Sequence, residues 1–396
     1  MKSVPPSART QALQSARMSK MARSVHAYVR GNTAKFYEWL ADSPVAKIIP
    51  QGPAIWICGD CHLGNLGPVG DADEKVDFQI RDLDQTVIGN PALDLIRLAL
   101  SLETAARSSD LPGVATVRML GAMGAAYATA LSADPACTLP EPDVVRTVRR
   151  RALRRRWRHL AEERIGDMDP TIPLGKRFWP VDDAERDAIA GLFEDGHVRE
   201  RSIALAGLGP KGRLRVLDAA YWRKGCSSLG HLRFAVLLGV ADQGRDEHLA
   251  LVDIKEAVPP LAPAARRAKM PKDHAERVVE GACALAPHLG ERMIAARLLS
   301  RPVVLRELKP QDLKLEVEQF SRKEAVRAAA YLAFVVGRAH ARQLDEASRR
   351  EWLQCFDANG DDNPDPPSWL WKAVVDLAGM HESAYLDHCR AYALER

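Results

Sequence analysis

The segment GDCHLGN, Gly59 to Asn65, and the RDLD at 81–84 concentrate groups able to do chemistry. Asp60 and Asn65 stand five positions apart on a loop expected to be tight, because Asp, Gly and Asn all favour turns. Moving a phosphoryl group onto a hydroxyl needs a carboxylate that accepts the hydroxyl proton. It also needs an amide oxygen and a second carboxylate to hold Mg²⁺. Asp60 suits the first role, and Asn65 with Asp82 the second. His62 is expected either to touch substrate or to orient the loop by hydrogen bonding. Asp84 is expected either to bind a second metal or to cap the turn. The plain alternative for Asp60, His62 and Asn65 is a capped turn with no catalytic role.

Such a site must also hold a nucleotide. Gly225, Ser227, Ser228 and Gly230 form a small-residue turn whose backbone could approach phosphates. About 25 residues further on, VDIK puts Lys255 in a strand, as the VAIK lysine of kinases is placed to pair the α- and β-phosphates. The next helix offers Glu276 and Glu280 as partners for that lysine, with exposed helix carboxylates as the alternative. Each piece is common by itself. The order of hairpin, lysine strand, helix and strand is more specific.

These groups need elements to position them. Residues 1–48 read as helix with short breaks, and the apolar run 54–58 as a buried strand delivering the loop. Residues 76–88 alternate apolar and polar side chains like a half-buried strand pair. From Pro91 the sequence ALDLIRLALSLETAAR has helical spacing, and helix continues to about residue 165. Beyond a Pro/Gly-rich connection through PTIPLGKRFWP, four strands are expected: two around the Gly/Ser turn, LALVDIKEA, and PVVLREL at 302–308. A helix spans roughly 272–286, a long one 323–343 ends in AHARQ, and the last fifty residues are mostly helical. The expected class is α+β, divided into a helical part with the catalytic and metal loops (1–205), a β-rich nucleotide part (206–312) and a helical remainder (313–396).

GDCHLGN followed by RDLDQTVIGNPALDL resembles the catalytic and metal-binding region of aminoglycoside phosphotransferases and related small-molecule kinases, whose pattern is GDxHxxN, an Asp at a strand end, then G-D-P-x-x-D-L. The resemblance implies a two-lobed protein-kinase-like fold, with Asp60 catalytic, Asn65 and Asp82 as Mg²⁺ ligands and Asp94 as a structural carboxylate. It implies ATP as cofactor and a small-molecule acceptor, with the backbone from Leu308 to Pro310 as the adenine hinge. Over nearly its full length the chain also resembles an uncharacterised bacterial family. The landmarks are RMSKMARSVHAYVRGN, GDCHLGNLG, DLD, GCSSLG, KEA, VREL and AHAR. In kinases the nucleotide lobe comes first, whereas here Lys255 follows the catalytic loop by about 195 residues, so a circular permutation is implied. Cys58 stands where many relatives have His, DLD replaces DFG, and GCSSLG is not a full GxGxxG.

Other signals are weaker. Cys58 and Cys61 match CxxC without a redox or zinc context, though thiols beside Asp60 could make activity oxidation-sensitive. The arginine-rich run 146–160 reads as a solvated basic helix, with a patch for an acidic partner as the alternative. DANGDDNPDPPS lacks the Gly and Glu that an EF-hand loop needs. Arg30 and GKRFWP match family landmarks without an assignable role. The 396 residues, 46% hydrophobic and 27% charged, are those of a soluble globular protein. No stretch approaches about 20 uninterrupted apolar residues, so no membrane partner is expected. The N-terminal segment lacks the apolar run of a secretory signal. A net charge of +4 does not imply nucleic acid. Seven scattered cysteines suit reduced thiols in a cytoplasm. The expected function is ATP- and Mg²⁺-dependent phosphoryl transfer to a hydroxyl. Nucleotidyl transfer and a protein acceptor stay open. A nucleotide-binding pseudokinase without turnover and a metallophosphoesterase are the rivals, the latter without its further metal motifs.

Overall fold

The computed structural model describes residues 4–73, 75–132, 137–155, 171–205, 212–224, 230–241, 247–313, 315, 321–356 and 366–394. The first helices are α1 (Arg9–Met21), α2 (Val25–Gly31) and α3 (Thr33–Asp42). Ser24 caps α2 by accepting the Ala27 N–H at 3.1 Å, the usual remedy for an orphan donor at a helix start. β1 (Ile55–Ile57) then delivers the GDCHLGN loop. β2 (Leu66–Gly70) pairs antiparallel with β3 (Val76–Ile80), and β4 (Val87–Gly89) pairs back on β1. The expected strand pair at 76–88 is therefore two strands with different partners. Residues 81–86 between them carry the RDLD carboxylates.

α4 (Ala92–Ser108) is buried at every position from Ala92 to Ala106, which explains why its sequence is apolar almost all round. α5 (Gly113–Ser132) and α6 (Asp143–Arg154) follow. The next elements are β5 (Phe178–Trp179), α7 (Asp183–Glu194) and α8 (Gly196–Leu205), then β6 (Arg213–Trp222), β7 (Arg233–Ala241) and β8 (His248–Glu256). A helix α9 (His274–Leu285), the short α10 (Pro287–Gly290), β9 (Met293–Leu298) and β10 (Arg301–Glu307) complete this part. α11 (Arg322–Ala341), α12 (Glu346–Phe356) and α13 (Ser368–Leu394) end the chain. Capping boxes fix the starts of α7, at Asp182 and Glu185, and of α11, at Ser321 and Glu324.

Among the described residues, six strands form one antiparallel sheet in the order β5-β6-β7-β8-β10-β9. β9 and the two-residue β5 escaped the sequence reading. β5 is the FW of GKRFWP, and it pairs with Tyr221 and Trp222 of β6. The sheet unit also reaches further back than residue 206. α7 and α8 supply Ile189, Leu192, Phe193, Val198 and Ile203 to the apolar layer under Phe234, Val236, Val252, Ile254, Val303 and Leu305. They belong to the sheet because their apolar faces have that layer to cover. Arg9 of α1 ties in as well, pairing with Glu185 at 2.6 Å.

The helical body has its own core, in which α4, α5, α11 and α13 contribute Leu98, Met123, Leu332 and Leu377 among others. α5 is long and apolar enough to cross a membrane by length and composition alone. Arg118 interrupts it, and most of it is buried inside the protein against α11. Gly337 allows that approach, because a Cβ there would meet the Ala130 Cβ at 2.7 Å.

Candidate functional site

The GDCHLGN loop is shaped from behind by α4. Both oxygens of the fully buried Asp94 accept backbone N–H groups, from Cys58 at 2.7 Å and Gly59 at 2.9 Å. His340 of α11 bonds the same carboxylate at 3.2 Å through Nε2. Its Nδ1 faces the Tyr127 hydroxyl at 2.9 Å, and the Trp352 indole donates to that hydroxyl at 3.0 Å. One assignment satisfies this whole chain: Nε2 of His340 carries the proton and Nδ1 accepts from Tyr127. Asp94 thus has the structural role that the resemblance implied. Gly59 adopts a φ of +73°, and a Cβ there would lie 2.1 Å from the Gln85 carbonyl oxygen, so only glycine fits this turn.

The front of the loop carries the side chains that face the cleft. Asp60 is buried, with Oδ1 accepting from Arg97 Nε at 2.8 Å and Oδ2 lying 3.9 Å from His62 Nε2. Asn65 donates its amide N–H to the Asp60 carbonyl at 2.8 Å, which turns its side-chain oxygen away from that bond. His62 accepts the Gly64 N–H at 3.1 Å through Nδ1 and so orients the loop. Burial, then Arg30 and Arg97, push its pKa well below the ordinary histidine value, so it is neutral at pH 7.

Opposite the loop stands the sheet. Leu251, Asp253 and Lys255 alternate along β8 and share the face towards the cleft, as the two-residue period of a strand requires. The Lys255 ammonium lies 3.3 Å from Asp82 and makes a closer pair with Asp84. Asp82 opens onto the cleft with 51% of its side chain exposed, although it sits deep in the concavity. Burial raises its pKa, but Lys255, Arg233 and Arg306 outweigh that and hold the carboxyl below its usual range. Asp253 is held by both Arg233 nitrogens, at 2.9 and 2.5 Å. The cleft between loop and sheet has a volume of about 360 Å³, and Asp60, His62, Asn65, Asp82, Asp84 and Lys255 all line it.

Other expected partners stand elsewhere. Glu276 and Glu280 are exposed on the outer side of α9, and the inward residue of that helix is Arg277. Arg277 donates to the backbone carbonyls of Thr86, Asp84 and Val258 and so braces the 81–86 loop from behind. Lys255 finds its carboxylates on that loop instead of on α9. Leu308 is likewise not a free hinge. Its N–H donates to the Leu251 carbonyl at 2.9 Å, and its side chain is buried with Phe178, Trp222, Leu237 and Leu251. Gly230 is described, with a φ of +106°, whereas Gly225, Ser227 and Ser228 lie outside the described residues. So do residues 156–160 of the basic run and 357–365 of the acidic loop.

Cys58, Cys61 and Asp94 come close enough to hold a metal ion, and all three are buried. The Asp94 oxygens are already engaged by two N–H groups and His340, which marks the cluster as structural. Sequence reasoning missed Arg97, Arg233, Asp253 and Arg306. The signal was present for two of them. A lone arginine in ALDLIRLAL and a lone aspartate in LALVDIK cannot be buried unpaired, so each demanded an ionic partner.

Fold and site together define a mixed α+β protein in which an antiparallel sheet and a helical body enclose a charged cleft bearing convergent carboxylates, an amide and a lysine. A family model described as "Uncharacterized protein conserved in bacteria (DUF2252)" matches residues 9–391, and the chain belongs to that family. No curated protein and no solved structure matches it.

Proposed function

We propose that the protein is an ATP- and Mg²⁺-dependent phosphotransferase acting on a hydroxyl, built on a kinase-like fold whose lobes are circularly permuted. The observation that carries this reading is the convergence of Asp60, Asn65, Asp82 and Lys255 on one cleft from segments up to 195 residues apart. The element order also supports it: a β6–β7 hairpin, the lysine strand β8, helix α9, then β9 and β10. So does the seam expected of a permutation. Gln343, just after α11, bonds both the N–H and the carbonyl of Trp56 in β1, at 2.8 and 3.0 Å. The end of that helix therefore lies against the strand that leads into the catalytic loop.

The donors fit Mg²⁺, which takes hard oxygen ligands. Asn65 presents its amide oxygen, and Asp82 and Asp84 present carboxylates. Bound there, the ion would neutralise charge on the phosphates. The protein's own groups do the rest. Lys255 leaves its ion pairs with Asp82 and Asp84 to engage the phosphates, which frees both carboxylates. Asp60, steadied by Arg97, accepts the acceptor's hydroxyl proton through Oδ2 as the new O–P bond forms and ADP departs. The test is a thermal-shift titration with ATP and Mg²⁺ on the native sequence, Lys255→Ala and Asp82→Asn. A ligand bound only by the folded state adds about 2.7 kcal/mol at a hundredfold excess over its Kd. A Mg²⁺-dependent rise in Tm, lost in both variants, is expected. No shift with any nucleotide, in a protein that melts cooperatively, overturns the reading.

A further inference from the structure

A second cavity, of about 410 Å³, lies between β3, the loop after α5, α6 and α11. It shares no lining residue with the charged cleft, although β3 leads from one to the other: Ile80 lines this cavity and Arg81 the cleft. Much of its wall is apolar, built by Phe78, Leu139, Leu285, Tyr331, Phe334 and Val335. The Phe78 and Tyr331 rings meet edge to face with centroids 5.6 Å apart. Size and lining are those of a pocket for a small organic molecule.

Two arginines stand in this wall, Arg338 and Arg342, one turn apart at the end of α11. Among the described residues neither is in an ion pair. Each donates to a backbone carbonyl instead, Arg338 to Cys137 and Arg342 to Leu285, both at 2.8 Å. Most of their N–H donors are left over. The two acids of the lining are engaged with other groups. Glu141 pairs with Arg149 at 3.0 Å, and Asp77 accepts the Phe78 N–H at 2.8 Å and the Gln79 amide at 2.9 Å. Burial lowers the pKa of Arg342, Asp77 raises it, and Arg338 lowers it again, so the two guanidiniums feel one another.

Three arginines against two acids leave the lining one positive charge in excess. One surplus charge beside an apolar wall calls for a monoanion with an apolar body. A carboxylate matches the planar donor fork of a guanidinium. A phosphate group, with nearly two charges at pH 7, exceeds the surplus.

We infer that this cavity binds a small organic acid, its carboxylate held by Arg338 and Arg342 and its apolar body packed on Phe78, Tyr331 and Val335. Aliphatic and aromatic acids share that chemistry. The site stands apart from the cleft and does not depend on the phosphotransferase reading.

The test is calorimetric titration of the full chain with octanoate, with 3-phenylpropanoate and with the neutral octanamide. At least one carboxylate binds with a stoichiometry of one, and the tighter of the two tells an aliphatic from an aromatic ligand. Octanamide binds about tenfold or more weakly than octanoate, because it lacks the charge that the arginines meet. Arg342→Gln keeps an N–H for the Leu285 carbonyl but loses the charge, and it weakens the carboxylate by a similar factor. Leu139→Trp changes a half-buried residue of the loop, fills the cavity and abolishes binding. If neither carboxylate binds, or if octanamide binds as tightly as octanoate, the site does not exist. Binding undiminished in either variant places the acid elsewhere and overturns the inference equally. The comparison of octanoate with octanamide needs only the native sequence, so a variant that fails to fold leaves the inference open to refutation.

Discussion

The two walls of the cleft are built by opposite means. The GDCHLGN wall is rigid from within, since its backbone is fixed by Asp94 and, behind it, by His340, Tyr127 and Trp352, all without exposed surface or nearly so. The sheet wall is held by ion pairs that face the cleft, with Lys255 shared between Asp82 and Asp84. A buried network with every partner matched specifies one geometry. The pair of Lys255 with the half-exposed Asp82 meets water and exchanges partners easily, whereas Asp253 and Arg233 of the same wall are buried. One wall is thus preorganised, and on the proposed function the other rearranges when the nucleotide's phosphates arrive.

The sharpest way to break this comparison is at the front of the rigid wall. Asp60→Asn keeps an oxygen for Arg97 Nε and so leaves the loop in place, but it cannot accept a proton. Turnover on any acceptor found for the protein should fall about 10²–10⁴-fold, the usual worth of a general base. The Mg-ATP thermal shift should persist. Unchanged steady-state kinetics in this variant would remove Asp60 from the chemistry.

The back of the same wall should show itself in stability. Asp94→Ala strands two buried N–H groups and the His340 imidazole, and it should cost roughly 3–5 kcal/mol in a urea melt. Lys255→Ala, by contrast, should cost less than about 1 kcal/mol, because its pairs face the cleft. Equal costs would mean that the two walls are held alike.

Acid separates the walls by pH window. Burial lowers His26 and His381 of the helical body from 6.5 to about 4. The unfolded chain therefore binds these protons first, and stability falls as the pH drops from 6.5 to 4. At about 1.4 kcal/mol per unit, the loss is roughly 3 kcal/mol for each histidine. On the sheet side Asp253 and Asp312 are held low by Arg233 and Arg292, against the upward push of burial. Their contribution persists until the pH falls below the ordinary carboxylate value of 3.8. Urea melts at pH 7, 5.5 and 4.5 should show the decline, and His26→Asn should reduce its slope. A flat profile down to pH 4.5 would contradict the buried neutral histidines.

The same contrast explains what the sequence disclosed. Asp60, Asn65, Asp82 and Asp94 lie within 35 residues, where turn chemistry and one helix limit the ways they can meet. Their convergence was legible from spacing. Lys255 was legible as a strand lysine because VDIK alternates. Its partners were not, because they depend on how a sheet more than 150 residues away sits over the 81–84 loop. β9 went unread because MIAARL is short and carries an arginine, and it becomes a strand by pairing with β10. Arg30 stood only as a family landmark, although it lines the cleft, since nothing local tells a solvated face from a cleft wall.

The smallest predicted effect tests that point most directly. Glu276 and Glu280 stand four residues apart on one stripe of α9, and the stripe bearing Arg277 faces the 81–86 loop. With the helix in this rotation, neither glutamate is a partner of Lys255. Glu276→Ala/Glu280→Ala should shift stability by no more than about 0.5 kcal/mol, as exposed substitutions do, and should leave the Mg-ATP thermal shift intact. A lost shift in a variant of unchanged stability would have a definite meaning. A glutamate would have to reach Lys255 in the liganded state, so α9 would turn as the lysine leaves Asp82 and Asp84. That outcome would extend the rearrangement of the sheet wall from its side chains to a whole helix, because a ligand shifts a conformation only through contacts that differ between the two states.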